Sequence, residues 1–537
     1  MPNQSYPEFS WRSRSRDLQR LRDKSPVFDV LIVGGGITGA AVAREAQTRG
    51  LSCLLVEKGD FAGGTSSRSS KLVHGGVRYL EQFEFGLVKE STRERALLWK
   101  NAPQLVTPMP FLFPAFAESR VPLWKLAAGL WLYDTLALFR LPSLHKSFLK
   151  ARTLVEEPGL RSEGLRGAIR YWDGATDDAL LTLANIIDAR AEGCVALSRV
   201  RAEEFHLRTT GGEATHEAIL KDVLSGDSLK VHFRSVVVAG GPWTDALLAT
   251  SGLSFPKLMA TTRGSHIVVP FNKLPSRNAV VMTHPKDGRV LFTIPFGEFT
   301  VIGTTDLFDK DAPEKVAINS EEVQYLIDSA RAYFPAHPLS FDDVVSTWSG
   351  LRPLIAPPDT ASASQISREH HLEWRDEGIV VIAGGKLTTH REMAEQTVDT
   401  LLRKASSWKN PLGGGFRPSK TMRRKFPRIR MPISSAEHTN EPLGTSEAAR
   451  LSVAQIQEIC ATLAVLSLED LLVRRTQIFY KEPHNGWLLL TKLKPILCEA
   501  LEWDESEWTT QVEAYRGYVE KNVLAPLGRK LPAHGHA

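Results

Sequence analysis

The sequence predicts an α/β chain with a second, largely antiparallel sheet and an all-α C-terminal part, and three features carry that prediction. Near the N-terminus a short β-rich run leads straight into a glycine turn and an alanine-rich helix. Two later apolar runs each end in paired glycines. Beyond residue 441 the apolar spacing becomes helical.

The first feature is the most specific. Phe28–Val33 (FDVLIV) is followed by Gly34-Gly-Gly-Ile-Thr-Gly39, then a helix former from Ala40 to Arg49, then a strand from Ser52 to Val56 with Glu57 at its end. Strand, glycine turn, helix and strand within about 30 residues make a Rossmann-like dinucleotide unit. Gly34 permits the tight turn, Gly36 lets the backbone approach a pyrophosphate, and Gly39 allows close helix–strand packing. The helix N-terminus offers its positive end to phosphate. Glu57, 23 residues after Gly34, is placed to accept from ribose hydroxyls.

The second feature is the pair of runs Ser235–Gly241 (SVVVAGG) and Ile379–Gly385 (IVVIAGG). Both have the β-branched continuity of parallel strands covered on two faces, and both feed glycine turns. They are expected to return to the first sheet, which makes the nucleotide domain discontinuous. Several glycine turns along one sheet suit the long FAD molecule better than NAD. A helix starting near Lys386 is expected to aim its N-terminus at the flavin, where negative charge develops on reduction. Between these runs, alternating segments such as Ser265–Val269 and Val290–Ile294 suggest a substrate-holding antiparallel sheet.

The remaining composition sets limits. The chain has 537 residues, too many for one ordinary core, so two or three domains are expected. Hydrophobic residues at 42% and charged residues at 24% exclude extended disorder. Cys53, Cys194, Cys460 and Cys498 are scattered, so neither a disulfide framework nor a metal site is expected. No N-terminal apolar run resembles a signal peptide, and Glu8, Asp17 and Asp23 in the Arg-rich start weaken the case for a mitochondrial presequence, which leaves a mitochondrial inner-membrane location the lesser alternative. The most apolar stretch, Val121 to Leu141, contains Lys125, Asp134 and Arg140 and reads as an amphipathic or buried helix rather than a span.

The domain boundaries follow. Residues 1–27 form an N-terminal extension. Residues 28–410 form the nucleotide domain with an interleaved cap at about 81–170 and 260–345. Residues 411–440 form a basic linker, and residues 441–537 a separate helical domain.

The loop Gly63–Leu80 (GGTSSRSSKLVHGGVRYL) is rich in hydroxyl and basic side chains and follows the second strand directly. Such a loop can wrap a pyrophosphate or a flavin. Through this loop and the stretches around it, the chain resembles the FAD-dependent, quinone-linked glycerol-3-phosphate dehydrogenases of the bacterial aerobic type. The resemblance runs over about residues 28–525. It is carried by GGGITGAAVAREAQTRG, EKGDFAGGTSSRSSKLVHGGVRYLE, WDGATDDALLTLANIIDARAEG, RGSHIVVP, IPFGEFTVIGTTD, WSGLRPL, GGKLTTHREMAE and EDLLVRRT.

The resemblance implies oxidation of sn-glycerol 3-phosphate to dihydroxyacetone phosphate, with hydride passing from C2 to N5 of a non-covalently bound FAD and electrons leaving to ubiquinone or menaquinone. It implies that Arg78 and Tyr79 line the substrate pocket, that His266 lies near the reacting hydroxyl, and that Arg352, Arg368 and Lys386 supply cationic contacts. The chemistry fits those residue types. A phosphate dianion wants guanidinium donors, and a leaving hydroxyl proton wants a base such as imidazole. His266, Arg352 and Lys386 are the expected catalytic set.

Cofactor contacts are expected from Gly34, Gly35, Gly36, Thr38, Gly39, Glu57 and Lys58. The following loop should add Thr65, Ser66, Ser67, Ser70, Lys71, Leu72, His74, Gly75 and Gly76. The two later turns should add Gly240 and Trp243, then Gly385, Lys386, Leu387 and Thr388. Two departures stand out. Asp177-Asp178-Ala179-Leu180-Leu181 lacks the arginine that the family carries there. No D-x-D-x-D-G calcium loop occurs, which separates the chain from the long mitochondrial members.

A quinone is confined to the bilayer, so a membrane surface is an expected partner, with the chain peripheral on the cytoplasmic face of the inner membrane. Arg417, Lys420, Arg423, Arg424, Lys425, Arg428 and Arg430 put seven positive charges within 14 residues, with Met422 and Phe426 as apolar neighbours. Leu123, Leu126, Leu130, Tyr133 and Leu141 should share one helix face, with Trp124 and Trp131 beside it as interfacial rings. A homodimer is left open, and nucleic acid is not an expected partner. Two rivals are an amine or amino-acid oxidase of the same flavin fold and a non-enzymatic, membrane-docked flavoprotein.

Overall fold

Strand Val27–Val33 occupies the middle of an eight-stranded sheet, buried along all but its first residue. It runs parallel to Cys53–Glu57 on one side and to Ser228–Val238 on the other. Ile379–Gly384 lies parallel to Ser228–Val238, so both later glycine-ended runs return to the first sheet as their composition predicts. Helix Ile37–Thr48 packs between Asp178–Ala191 and His390–Lys404. A computed structural model describes residues 8–207, 215–249, 256–309, 311–355, 369–375, 378–404, 416–429 and 442–532.

The second sheet has ten strands. Near one end of it Met259–Pro270 pairs antiparallel with Ser346–Ile355, from Met259 opposite Ile355 to Val268 opposite Ser346. The sheet is mostly antiparallel, but Ala279–Thr283 runs parallel to Val106–Phe116. It also takes in Leu72–Val73, Leu165–Thr176 and Ser346–Ile355, so the cap exceeds the predicted 81–170 and 260–345. The predicted limits fell short because Leu72–Val73 is only two residues long and carries no periodic signal.

The extension is not featureless. Trp11–Lys24 is a helix with a capping box at Ser10, and it buries Leu18 and Leu21. Arg14 reaches Asp222 at 2.6 Å, and Trp11 Nε1 donates to the Ala500 carbonyl at 3.3 Å. The helix thus ties the nucleotide sheet to the C-terminal part. That C-terminal part is helical, with Val453–Thr462, Leu490–Leu501 and Glu505–Val519, but it does not stand apart. Leu472, Phe479 and Leu497 belong to the same continuous apolar core as Val30 and Ile267.

The basic segment is fastened down as well. Arg424 bonds Asp188 at 2.7 Å and Glu192 at 2.8 Å. Phe426 is buried beneath the Arg44 guanidinium, 3.9 Å from its ring centroid, and so is not an apolar contact for a membrane. Arg430 lies outside the described residues.

Helix Leu123–Leu136 turns Leu126, Leu130 and Tyr133 into the core and leaves Trp124 and Trp131 73% and 55% exposed. It ends before Leu141, which therefore is not part of its stripe. Among the described residues no helix is long and apolar enough to cross a membrane.

Candidate active site

The glycine turn is built by close approach. Gly34 sits at φ +116°, and a side chain there would strike the Ala239 carbonyl of the neighbouring strand. A side chain at Gly39 would strike the Gly34 carbonyl. Helix Ile37–Thr48 carries no acidic residue in its first turn, and its N-cap, Gly36, has no side chain to satisfy the amides. Ser66 Oγ accepts from the Ile37 amide at 2.9 Å. Gly36, Ile37 and Thr38 line a cavity of about 1580 Å³, so the positive end of this helix faces open space. That arrangement fits a pyrophosphate, and the volume exceeds the roughly 300–1,000 Å³ of an ordinary small-molecule pocket. It has room for a dinucleotide and a second ligand together.

Glu57 and Lys58 line the same cavity. Glu57 accepts from the amides of Gly35 at 2.7 Å and Gly59 at 2.8 Å, so it braces the turn while lining the cavity. Burial raises its pKa, against those two amide bonds. Lys58 pairs with Glu314 at 2.7 Å and lies 4.4 Å from the ring centroid of Trp243.

The hydroxyl-rich loop connects the two sheets. Thr65 Oγ1 donates to the Leu351 carbonyl at 2.6 Å, and Trp348 Nε1 donates to the Ser69 carbonyl at 3.1 Å. Thr65, Ser66, Ser70, Leu72, His74 and Gly76 line the cavity, as do Gly240, Trp243, Gly385, Lys386 and Leu387.

Six expected cofactor residues are placed otherwise. Gly35 and Gly39 serve the turn's packing behind the cavity wall. Ser67 is buried. Lys71 points away, into an ion pair with Asp178 at 2.7 Å. Gly75 donates its amide to Asp173 at 2.9 Å and packs under Tyr133. Thr388 donates to the His74 carbonyl at 3.1 Å. The sequence shows donors in this loop, but only tertiary packing decides which face outward. Helix His390–Lys404 also starts four residues later than expected, so Lys386 stands in the turn before it.

His266, Arg352, Lys386, Arg78 and Tyr79 all line the cavity. His266 is 2% exposed and stacks on Trp348, ring centroids 4.6 Å apart at 12°. Its Nε2 shares a hydrogen bond of 2.8 Å with Ser70 Oγ. Burial first, then the charges of Arg352 and Lys71, hold its pKa well below the ordinary histidine value. The imidazole is therefore neutral at neutral pH and able to accept a proton.

Arg352 is held by Asp306 at 3.0 Å, by Thr304 Oγ1 at 3.0 Å and by the Thr305 carbonyl at 3.1 Å. Lys386 Nζ lies 3.9 Å from the Tyr79 ring centroid and 3.4 Å from Ser91 Oγ. Arg368 lies outside the described residues.

Sequence reasoning missed several neighbours. Trp348, in the WSGLRPL stretch, carries no local signal of its place under the imidazole. Thr304 and Asp306, in IPFGEFTVIGTTD, fix Arg352. Glu90, half-buried and near Lys386, has its carboxyl pushed up to about 7 by partial burial and by Glu392, against Lys386. Nothing in its local sequence signals that.

Comparison with known proteins agrees with this geometry. A family model described as FAD dependent oxidoreductase matches residues 29–400. An aerobic glycerol-3-phosphate dehydrogenase of Staphylococcus aureus is 36% identical over 394 residues, covering 73% of this chain and 70% of that protein. The crystal structure of a glycerol-3-phosphate dehydrogenase from Bacillus halodurans complexed with FAD superposes with a TM-score of 0.74 at 28% identity, over 96% of this chain and 99% of that one. An L-alpha-glycerophosphate oxidase from Mycoplasma pneumoniae with FAD bound shares the fold, with a TM-score of 0.57 at 20% identity over 75% of this chain and all of that one. The glycine cradle, the unneutralised helix terminus and the matched family together place this chain among the FAD-dependent oxidoreductases, as an FAD-binding enzyme with aerobic glycerol-3-phosphate dehydrogenases among its relatives.

Proposed function

We propose that the chain oxidises sn-glycerol 3-phosphate to dihydroxyacetone phosphate and passes the electrons to membrane quinone. The observation that carries this reading is the neutral, buried His266 lining the same cavity as Arg352 and the glycine turn. FAD, when bound, supplies the two-electron acceptor for C2.

The chain's own residues supply the rest. Arg352 and Lys386, with Arg78, hold the phosphate and orient C2. Their positive charge favours the alkoxide that forms as the hydroxyl proton leaves. His266 takes that proton at Nε2, the nitrogen that shares the Ser70 hydroxyl. Arg368 is a further proposed phosphate contact, from its motif alone.

Docking is proposed to be peripheral, on the cytoplasmic face of the inner membrane. Exposed Trp124 and Trp131 support it, as do the exposed Arg417, Lys420, Arg423, Lys425 and Arg428.

The test is an anaerobic titration of the purified yellow protein. Glycerol 3-phosphate should bleach the flavin absorbance, while glycine and sarcosine should not. Bleaching by the amines alone would favour an amino-acid oxidase. A soluble quinone should then restore the colour faster than oxygen does.

A further inference from the structure

The C-terminal helical part reaches the candidate active site through stacked rings. Tyr480, in the short helix Ile478–Lys481, is fully buried. Its ring meets Trp348 edge-on, centroids 5.1 Å apart at 71°. Trp348 in turn lies flat against His266. Phe479 and Tyr518, also from the C-terminal part, extend the cluster behind Tyr480.

Tyr480 also touches the other support of His266. Lys71 Nζ lies 5.2 Å from the Tyr480 ring centroid and 5.8 Å from that of Trp348. Lys71 bonds Asp178, and Asp178 holds both the amide and the hydroxyl of Ser69, at 3.1 Å and 2.7 Å. Trp348 Nε1 closes the loop on the Ser69 carbonyl. Ser70, the partner of His266, is the next residue. One aromatic ring therefore backs both the plate under the imidazole and the loop that carries its hydrogen-bond partner. The Tyr480 hydroxyl finds no hydrogen-bond partner among the described residues, so the contact is made by the ring face and edge.

We infer that Tyr480 is a positioning residue for the oxidation step, and that the C-terminal helical part sets the orientation of His266 through Trp348 rather than merely adding core. This rests on His266 acting as the proton acceptor. Stacked rings at contact distance transmit orientation because a close-packed interior leaves no free volume into which one ring can tilt alone. Misplacing a catalytic group by an ångström costs on the order of a hundredfold in rate.

The test compares full-length holoenzyme carrying Tyr480→Leu, Tyr480→Phe or Trp348→Phe with the parent. FAD content, melting temperature and the anaerobic rate of flavin reduction by glycerol 3-phosphate are measured across pH. Tyr480→Leu is expected to lower the limiting reduction rate by roughly tenfold to a hundredfold, at unchanged FAD content and nearly unchanged half-saturation. It should also move the acid limb of the pH profile toward the ordinary histidine value. Tyr480→Phe should restore parent behaviour, because the ring is what matters. If Tyr480→Leu does not fold, Trp348→Phe is expected to show the same split with a smaller loss.

Parent-like rates and pH profile in both Tyr480→Leu and Trp348→Phe would overturn the inference. So would a loss of rate that only tracks loss of bound FAD. If the parent flavin is not reduced by glycerol 3-phosphate, the functional reading fails separately. The positioning claim is then read from the NMR titration of the His266 imidazole, which Tyr480→Leu shifts if the stack holds the ring and leaves alone if it does not.

Discussion

Ser70 Oγ lies 2.8 Å from Nε2 of His266, joining the loop that follows the nucleotide unit to strand Met259–Pro270 of the second sheet. The two residues are 196 positions apart in the chain. Their meeting puts a candidate base in the cavity that the glycine turn also lines.

The depressed pKa of His266 sets a pH dependence. Burial and the charges of Arg352 and Lys71 keep the ring neutral below the pH at which an ordinary histidine protonates. The flavin reduction rate should therefore stay level as pH falls through 6.5 and decline only in more acid solution. His266→Gln should lower that rate by about 10²–10⁴-fold, read by anaerobic stopped flow. The same shift has a stability sign. Between its folded pKa and its ordinary one, the unfolded chain binds the proton and the folded chain does not. Stability should thus fall as pH drops through that window.

Arg352→Lys keeps the charge but loses the planar fork that Asp306 and Thr304 orient. A drop in kcat/KM of roughly tenfold to a hundredfold is expected, about 1.4–2.7 kcal/mol. Steady-state kinetics against glycerol 3-phosphate concentration measure it. Melting temperature should change little, since Arg352 lies on the cavity wall rather than in the core.

Gly34→Ala places a methyl group against the Ala239 carbonyl at a backbone angle of +116°. The turn must shift, and the cradle with it. The purified variant should carry little flavin, checked by the ratio of visible to ultraviolet absorbance.

Lys71→Met removes one half of a buried ion pair whose other half, Asp178, is also fully buried. Burial disfavours the Lys71 charge, but Asp178 and Asp177 together outweigh it and raise the lysine pKa. Leaving Asp178 alone should cost about 3–5 kcal/mol, seen as a lower midpoint in chemical denaturation.

Trp124→Ser with Trp131→Ser should weaken binding to anionic lipid vesicles at least about tenfold, because interfacial rings and nearby charge act together. Vesicle co-sedimentation reads the loss. Flavin reduction by glycerol 3-phosphate in solution should be unchanged. Retained sedimentation would move the docking surface elsewhere.

Local chemistry explains what was legible beforehand. Val30 to Val33 announce a buried parallel strand because strands covered on both faces need unbroken apolar runs. Gly34 and Gly36 announce the turn because their roles are steric and local. The fates of Ser66, Ser67, Ser70 and Lys71 are not legible, since four polar residues of one loop look alike until packing sorts them. The helix Trp11–Lys24 was hidden by its arginines, although Ser10 and the Leu18/Leu21 spacing carry a helix signal.

The sequence by itself determined the nucleotide unit and the return of both later strands to its sheet. These rest on short-range periodicity and backbone sterics, which a chain carries wherever it is read. The tertiary structure alone decided that Lys71 turns away from the cavity, that Phe426 lies under Arg44, and that Tyr480 backs the ring beneath His266. Those outcomes depend on contacts between distant segments, and such contacts are set by how the whole core fills its volume.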